Sequence, residues 1–162
     1  MLILATGGTF DKDYALDGSL AFSGSALPKL IQQARLTCAH ELHIIMQKDS
    51  LDMTIADRML ILEACRNTTS EQIIIIHGTD TMTETADFLR RAALTKTIVL
   101  TGAMRPFSFG NSDAAFNLGY ALATAQTAAQ GVYIAMQGEC FSAGTVIKDK
   151  TQLLFTHLPP QD

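Results

Sequence analysis

Residues 72–81 read QIIIIHGTDT and residues 97–106 read TIVLTGAMRP. Each opens with a short apolar run lacking any period-2 alternation, and each ends in hydroxyls and glycine. A strand covered on one face alternates apolar and polar residues, whereas one covered on both faces does not. Both runs therefore read as central parallel strands with helices on either side. The flanking sequence fits that frame: "LILAT" at 2–6, "ELHIIMQ" at 41–47 and "GVYIAMQG" at 131–138 are further strand-like runs. Between the runs, "LPKLIQQARL" at 27–36, "TIADRMLILEACRN" at 54–67, "TETADFLRRAAL" at 83–94 and "DAAFNLGYALATAQTAAQ" at 113–130 carry helical patterns. This β–α alternation predicts an α/β fold with an open, mainly parallel sheet flanked by helices. Thr54 with Asp57, and Thr83 ahead of Glu84, are the expected helix starts. The Ala-rich stretch from Asp113 to Ala129 reads as a close-packed helix.

The 162 residues, 48% hydrophobic and 17% charged, are enough for one globular domain with a full core. A net charge of −4 and the isolated basic pair Arg90-Arg91 give no support to nucleic-acid binding. No apolar run approaches the roughly 18 residues of a membrane span. Met1 leads straight into the first strand without a leader pattern, so the chain reads as cytoplasmic. Cys38, Cys65 and Cys140 are widely spaced and odd in number, as expected of free thiols in a reducing compartment. "HELH" at His40–His43 lacks the four-residue spacing and the helix of a zinc site, so no metal is assigned. Nucleotide-cradling glycine motifs are missing, and no cofactor is expected. The closing "LPPQD", residues 158–162, has the composition of a linker.

Ligands of open parallel sheets gather beyond the carboxyl ends of the strands. There the chain places "TGGT" (6–9), "KDSLDM" (48–53), "HGTDTM" (77–82), "TGAMRP" (101–106) and "QGECFSAGTVIKDK" (137–150). The glycine pair Gly7-Gly8 signals either a turn with unusual backbone angles or a backbone that something must approach closely. Thr79 and Asp80 fit a helix-capping turn, or a hydroxyl activated by a carboxylate together with Lys148. Lys148 also fits a solvated surface, and Ser50 fits a turn beside Asp49 and Asp52. Tyr14 lies in a charged segment, residues 10–25, that could be an exposed loop or one that closes over a substrate. His77 ends an apolar strand and reads as a locally bonded structural histidine.

Taken together, "ILATGGTF", "HGTDTMTETADFL" and "TGAMRP...SDAAFNL" resemble the bacterial L-asparaginase family of threonine amidohydrolases, in order and spacing from Leu2 to about Thr151. The resemblance implies the amino-terminal domain of that family as a single unit over 1–162, with an unusual left-handed crossover and without the family's usual carboxyl-terminal domain. It implies a nucleophile at Thr9 assisted by Tyr14, and a second set formed by Thr79, Asp80 and Lys148. It also implies substrate contacts at Gly8, Ser50, Leu51, Gly78 and Ala103, with Asp80 on the α-ammonium. Two departures stand out: the loop from Thr9 to Tyr14 is short, and Leu51 stands where Gln or Ser is common. The implied activity is hydrolysis of the side-chain amide of asparagine or a related small amide through an acyl-enzyme. The implied assembly is a homodimer or homotetramer, and the alternative is a non-catalytic amino-acid-binding module.

Overall fold

The apolar run at residues 73–76 becomes the middle of the sheet. In the computed structural model, which describes residues 1–159, strand β1 (Leu2–Gly7) pairs in parallel on one side with β4 (Glu41–Lys48) and on the other with β5 (Gln72–Ile76). Beyond β5 come β6 (Thr97–Thr101) and β7 (Gly131–Met136), also parallel. A short antiparallel edge strand, β8 (Glu139–Ser142), completes the order β4-β1-β5-β6-β7-β8. Two ribbons lie outside this sheet: β2 (Lys12–Tyr14) with β3 (Leu20–Phe22), and β9 (Val146–Asp149) with β10 (Leu154–His157). Residues 160–162, which fall in the linker-like "LPPQD", lie outside the described residues.

The absence of alternation in β5 has a direct structural counterpart. Ile73 and Ile75 point into a core layer with helices α2 (Ile55–Asn67) and α3 (Met82–Arg91), through Ile61, Leu62, Met82 and Leu89. Ile74 and Ile76 point into a second layer with α1 (Leu27–Ala34) and α4 (Ala114–Thr127), through Leu27, Leu30, Leu118 and Leu122. All four isoleucines are fully buried. Burial of each such side chain contributes about 1.5–3 kcal/mol relative to exposure, which is what fixes this strand at the centre.

Helix starts follow side-chain chemistry, with one correction. Thr54 caps α2 in a reciprocal box: its hydroxyl accepts from Asp57 N, and the Asp57 carboxylate accepts from Thr54 N at 2.7 Å. The expected start at Thr83 is displaced, because α3 begins at Met82 with Thr81 as the flanking residue. The Thr81 hydroxyl does not cap the helix; it donates to Ser50 O at 2.8 Å and so ties two rim loops together. Among the described residues, no helix is long and apolar enough to cross a membrane.

The segment 10–25 is ordered as the β2–β3 hairpin, anchored where the Asp11 carboxylate accepts from Ser25 Oγ and Ala26 N at 3.0 and 2.9 Å. Burial pushes the Asp11 carboxyl upward, with those two bonds acting against it. The three thiols are free, and burial pushes that of Cys65 up to about 12, which makes it inert.

Candidate active site

The rim at the carboxyl ends of the strands is built by glycines that let loops touch. Gly8 has φ +78, and a Cβ added there would overlap the Cα of Gly78. A Cβ on Gly78 would in turn lie 2.7 Å from Ser50 Oγ. The loops after β1 and β5 thus meet backbone to backbone, the Ser50 side chain of the loop after β4 lies against Gly78, and Gly8 N donates to Lys48 O at 3.0 Å. Both readings of the glycine pair hold at once: an unusual φ and a close approach. Thr9 and Thr79, the next residue after each glycine, leave the same junction.

Thr9 is half-buried at the start of a 3-10 turn, Thr9–Asp11. Thr79 is 6% exposed. Lys148 reaches it from β9: the ammonium donates to Thr79 Oγ1 at 2.8 Å and to Asp80 Oδ1 at 2.6 Å, and only 7% of the Lys148 side chain is exposed. A buried amine of this kind is fixed in place by its partners, because an unpaired ammonium would be costly away from water. The position of Lys148 depends on β9 docking: Val146 and Phe155 of the β9–β10 ribbon are buried in the same core layer as α3.

Ser50 is buried to 1% in the short turn Ser50–Asp52. Leu51 in that turn is 66% exposed, and its N donates to Asp49 Oδ1 at 3.1 Å. Ala103 is 1% exposed and packs into the core layer shared with α1 and α4. The Lys148 cluster takes in Thr79 and Asp80, and among the described residues neither Thr9 nor Tyr14 has a side-chain hydrogen bond to it. The Tyr14 side chain is 65% exposed and stacks on Phe109, with ring centroids 4.7 Å apart.

His77 is fully buried with Nδ1 2.7 Å from Gly78 O, and Nε2 has no partner among the described residues. Burial lowers its imidazole to about 4, so it stays neutral at neutral pH. That is the structural histidine the sequence suggests. Among the described residues, no group of three or more His, Cys, Asp or Glu is placed to hold a metal ion.

Other rim residues were given no role by the sequence reading. Thr6 Oγ1 donates to Ile76 O and Thr101 Oγ1 to Ala135 O, both at 2.8 Å, pinning neighbouring strands at their carboxyl ends. The Asp113 carboxylate accepts from Met104 N and Arg105 N at 3.0 and 3.1 Å, and from Asn117 Nδ2 at 2.9 Å, holding the loop after β6. A threonine directly before a glycine at a strand end, in both "ATGG" and "LTGA", was the available signal.

Residues 1–156 match the family described as "Asparaginase, N-terminal". The chain belongs to the asparaginase family. A probable periplasmic L-asparaginase of Haemophilus influenzae is 30% identical, over 98% of this chain and 48% of its own length. A component of the glutamyl-tRNA(Gln) amidotransferase of Methanococcus maripaludis is 31% identical over 99% of this chain and 40% of its own. The thermostable L-asparaginase from Thermococcus kodakarensis superposes with a TM-score of 0.86 at 29% identity, covering 99% of this chain and 52% of that one. The chain therefore spans about half the length of the relatives it matches, and the asparaginase amino-terminal fold is the part they share.

Proposed function

We propose that this asparaginase-family chain hydrolyses the side-chain amide of asparagine or a related small amide, through an acyl-enzyme on Thr9. The observation carrying the reading is the buried contact of Lys148 with Thr79 and Asp80 beside the Gly8–Gly78 junction from which Thr9 emerges. A threonine hydroxyl is a weak nucleophile until a neighbouring group takes its proton. That group is the Lys148 nitrogen in its neutral amine form, after the ammonium has given up a proton: the amine takes the Thr9 proton through the Thr79 hydroxyl, and Asp80 orients it. Thr9 Oγ bonds to the amide carbon, the carbon–nitrogen bond breaks, and the nitrogen leaves as ammonia with the transferred proton. Water then attacks the ester, releases the acid and returns a proton to Thr9. Backbone N–H groups at the Thr9 and Thr79 turns steady the oxyanion; losing one such donor costs about 3 kcal/mol of transition-state stabilisation.

In this reading Ser50 holds the substrate carboxylate with Leu51 beside it, Asp80 also holds its ammonium, and Gly8, Gly78 and Ala103 line the pocket through their backbones. Tyr14 assists only if the hairpin brings it inward from its stack on Phe109. Relatives named as L-asparaginases and as part of a glutamyl-tRNA(Gln) amidotransferase leave several small amides to compare. The free thiols fit a reducing, cytoplasmic setting. A homodimer or homotetramer belongs to the same reading, and light scattering showing a strict monomer at working concentrations would remove that part of it.

The direct test measures ammonia release from asparagine, glutamine and smaller amides, with Thr9→Ala beside the wild type. Release that is lost in the variant supports the proposal. No release from any amide, with the two proteins indistinguishable, overturns it; aspartate binding by calorimetry in that case points to an amino-acid-binding module.

A further inference from the structure

We propose that Lys12, paired with Asp49, is a positioning residue for Thr9: the pair clamps the turn carrying Thr9 to the turn carrying Ser50. This rests on the reading of Thr9 as nucleophile. Lys12 begins β2, immediately after the Thr9–Asp11 turn, and its ammonium lies 2.5 Å from Asp49 Oδ2. Asp49 flanks the Ser50–Asp52 turn, and its other oxygen, Oδ1, accepts from Leu51 N at 3.1 Å. One carboxylate thus bonds both turns, one through each oxygen.

The environment makes this more than a loose surface pair. Only 18% of the Lys12 side chain and 28% of the Asp49 side chain are exposed. Lys12 is held from behind as well, where its carbonyl accepts from Ser108 Oγ at 3.1 Å. Burial pushes the Asp49 carboxyl up, but the Lys12 hydrogen bond, the Leu51 amide and the charges of Lys12 and Lys148 together hold it below the ordinary carboxylate range. Asp49 is therefore an anion at neutral pH. The turn that Asp49 flanks is tied in its own right to the loop of Thr79 and Asp80, where Ser50 O accepts from Thr81 Oγ1 at 2.8 Å. Lys12 thus fixes the distance between the two turns and supplies the largely buried Asp49 anion with its partner.

The experiment compares wild type, Lys12→Met and Lys12→Arg by amide hydrogen exchange over residues 8–14 and 49–53, together with ammonia release from asparagine. In Lys12→Met, exchange in both segments is expected to quicken about tenfold while the central strands are unchanged. The kcat is expected to fall about 10- to 100-fold with little change in KM, as for a misplaced reacting group. Lys12→Arg, which keeps the ion pair, restores both. Unchanged exchange in either segment, or a kcat equal to wild type, overturns the clamp. Should Lys12→Met fail to fold, Asp49→Asn, which keeps a carbonyl for Leu51 N, carries the same two comparisons. A wild type that releases no ammonia from any amide defeats the functional reading, while the exchange comparison still decides the clamp.

Discussion

His77 lies one residue from the glycine junction, yet its chemistry is that of the core. It is fully buried and lowered to about 4 from an ordinary 6.5. The folded state therefore refuses a proton that the unfolded chain accepts, so stability is complete above pH 6.5 and is lost as pH falls from there toward 4. The shift corresponds to a loss on the order of 3 kcal/mol. Urea titrations at pH 7, 5.5 and 4.5 should show this fall, and His77→Asn, which keeps a donor for Gly78 O without titrating, should flatten it. Lys148 makes the opposite case, a buried charge with its partners in place. Lys148→Met removes the amine from Thr79 and Asp80 and should reduce ammonia release by about 100- to 10,000-fold. A variant that folds and keeps more than a tenth of the activity would remove Lys148 from the mechanism.

Two junctions between elements carry sharper consequences than any single contact on them. At Gly8, φ is +78 and the position of a Cβ is already occupied by Gly78, so Gly8→Ala meets both backbone strain and a clash with main chain. It should destabilise by more than about 1 kcal/mol, visible in thermal unfolding, and should abolish activity even in the folded fraction. At the start of α2, Asp57 closes the capping box and accepts both short bonds from Lys48 at 2.8 Å. Lys48 first, then the Thr54 amide and hydroxyl, hold its carboxyl at about 2. The stability it provides is present above the ordinary carboxylate value near 4 and is lost as pH falls toward 2. Asp57→Asn should cost about 1 kcal/mol, or about 2–4 °C in Tm, for the cap.

This scale also shows where the sequence was readable. The helix at Thr54 and the runs at 73–76 and 97–101 announce themselves through local chemistry: a cap, or uninterrupted apolar residues. The ribbons do not. The strands Lys12–Tyr14, Glu139–Ser142 and Val146–Asp149 are short and carry charged residues, two of which, Lys12 and Lys148, are largely buried by partners from elsewhere in the chain. Their existence depends on partners and on docking against distant helices. A cue survives at the β7–β8 turn, where Gln137 and Gly138 both have positive φ, as a two-residue hairpin loop requires. The Thr79–Asp80 side of the site was legible from its strand end; Lys148 was joined to it through the family resemblance and not by local chemistry, because its arrival rests on Val146 and Phe155 packing into the layer of α3, a helix distant in sequence.

The whole molecule is organised by a sheet covered on both faces, and that arrangement makes a prediction a one-sided sheet would not. Ile75 belongs to the layer shared with α2 and α3, and Ile74 to the layer shared with α1 and α4; both are at 0% exposure. Ile74→Ala and Ile75→Ala should therefore each cost about 2–5 kcal/mol, since each removes the same atoms from a packed layer. In a sheet with one solvated face, adjacent positions would differ, one costly and the other nearly neutral. Chemical denaturation of the two variants decides between these cases, and near-equal losses are the expected result. The same packing bears on function, because β5 delivers Gly78, Thr79 and Asp80 to the rim directly from this doubly buried segment. Of the two variants, Ile75→Ala should disturb the site more: its layer also holds Val146 and Phe155, whose docking carries Lys148 to Thr79. Ammonia release per folded molecule should fall further in Ile75→Ala than in Ile74→Ala; the reverse order would mean that the Lys148 ribbon is seated independently of the central strand.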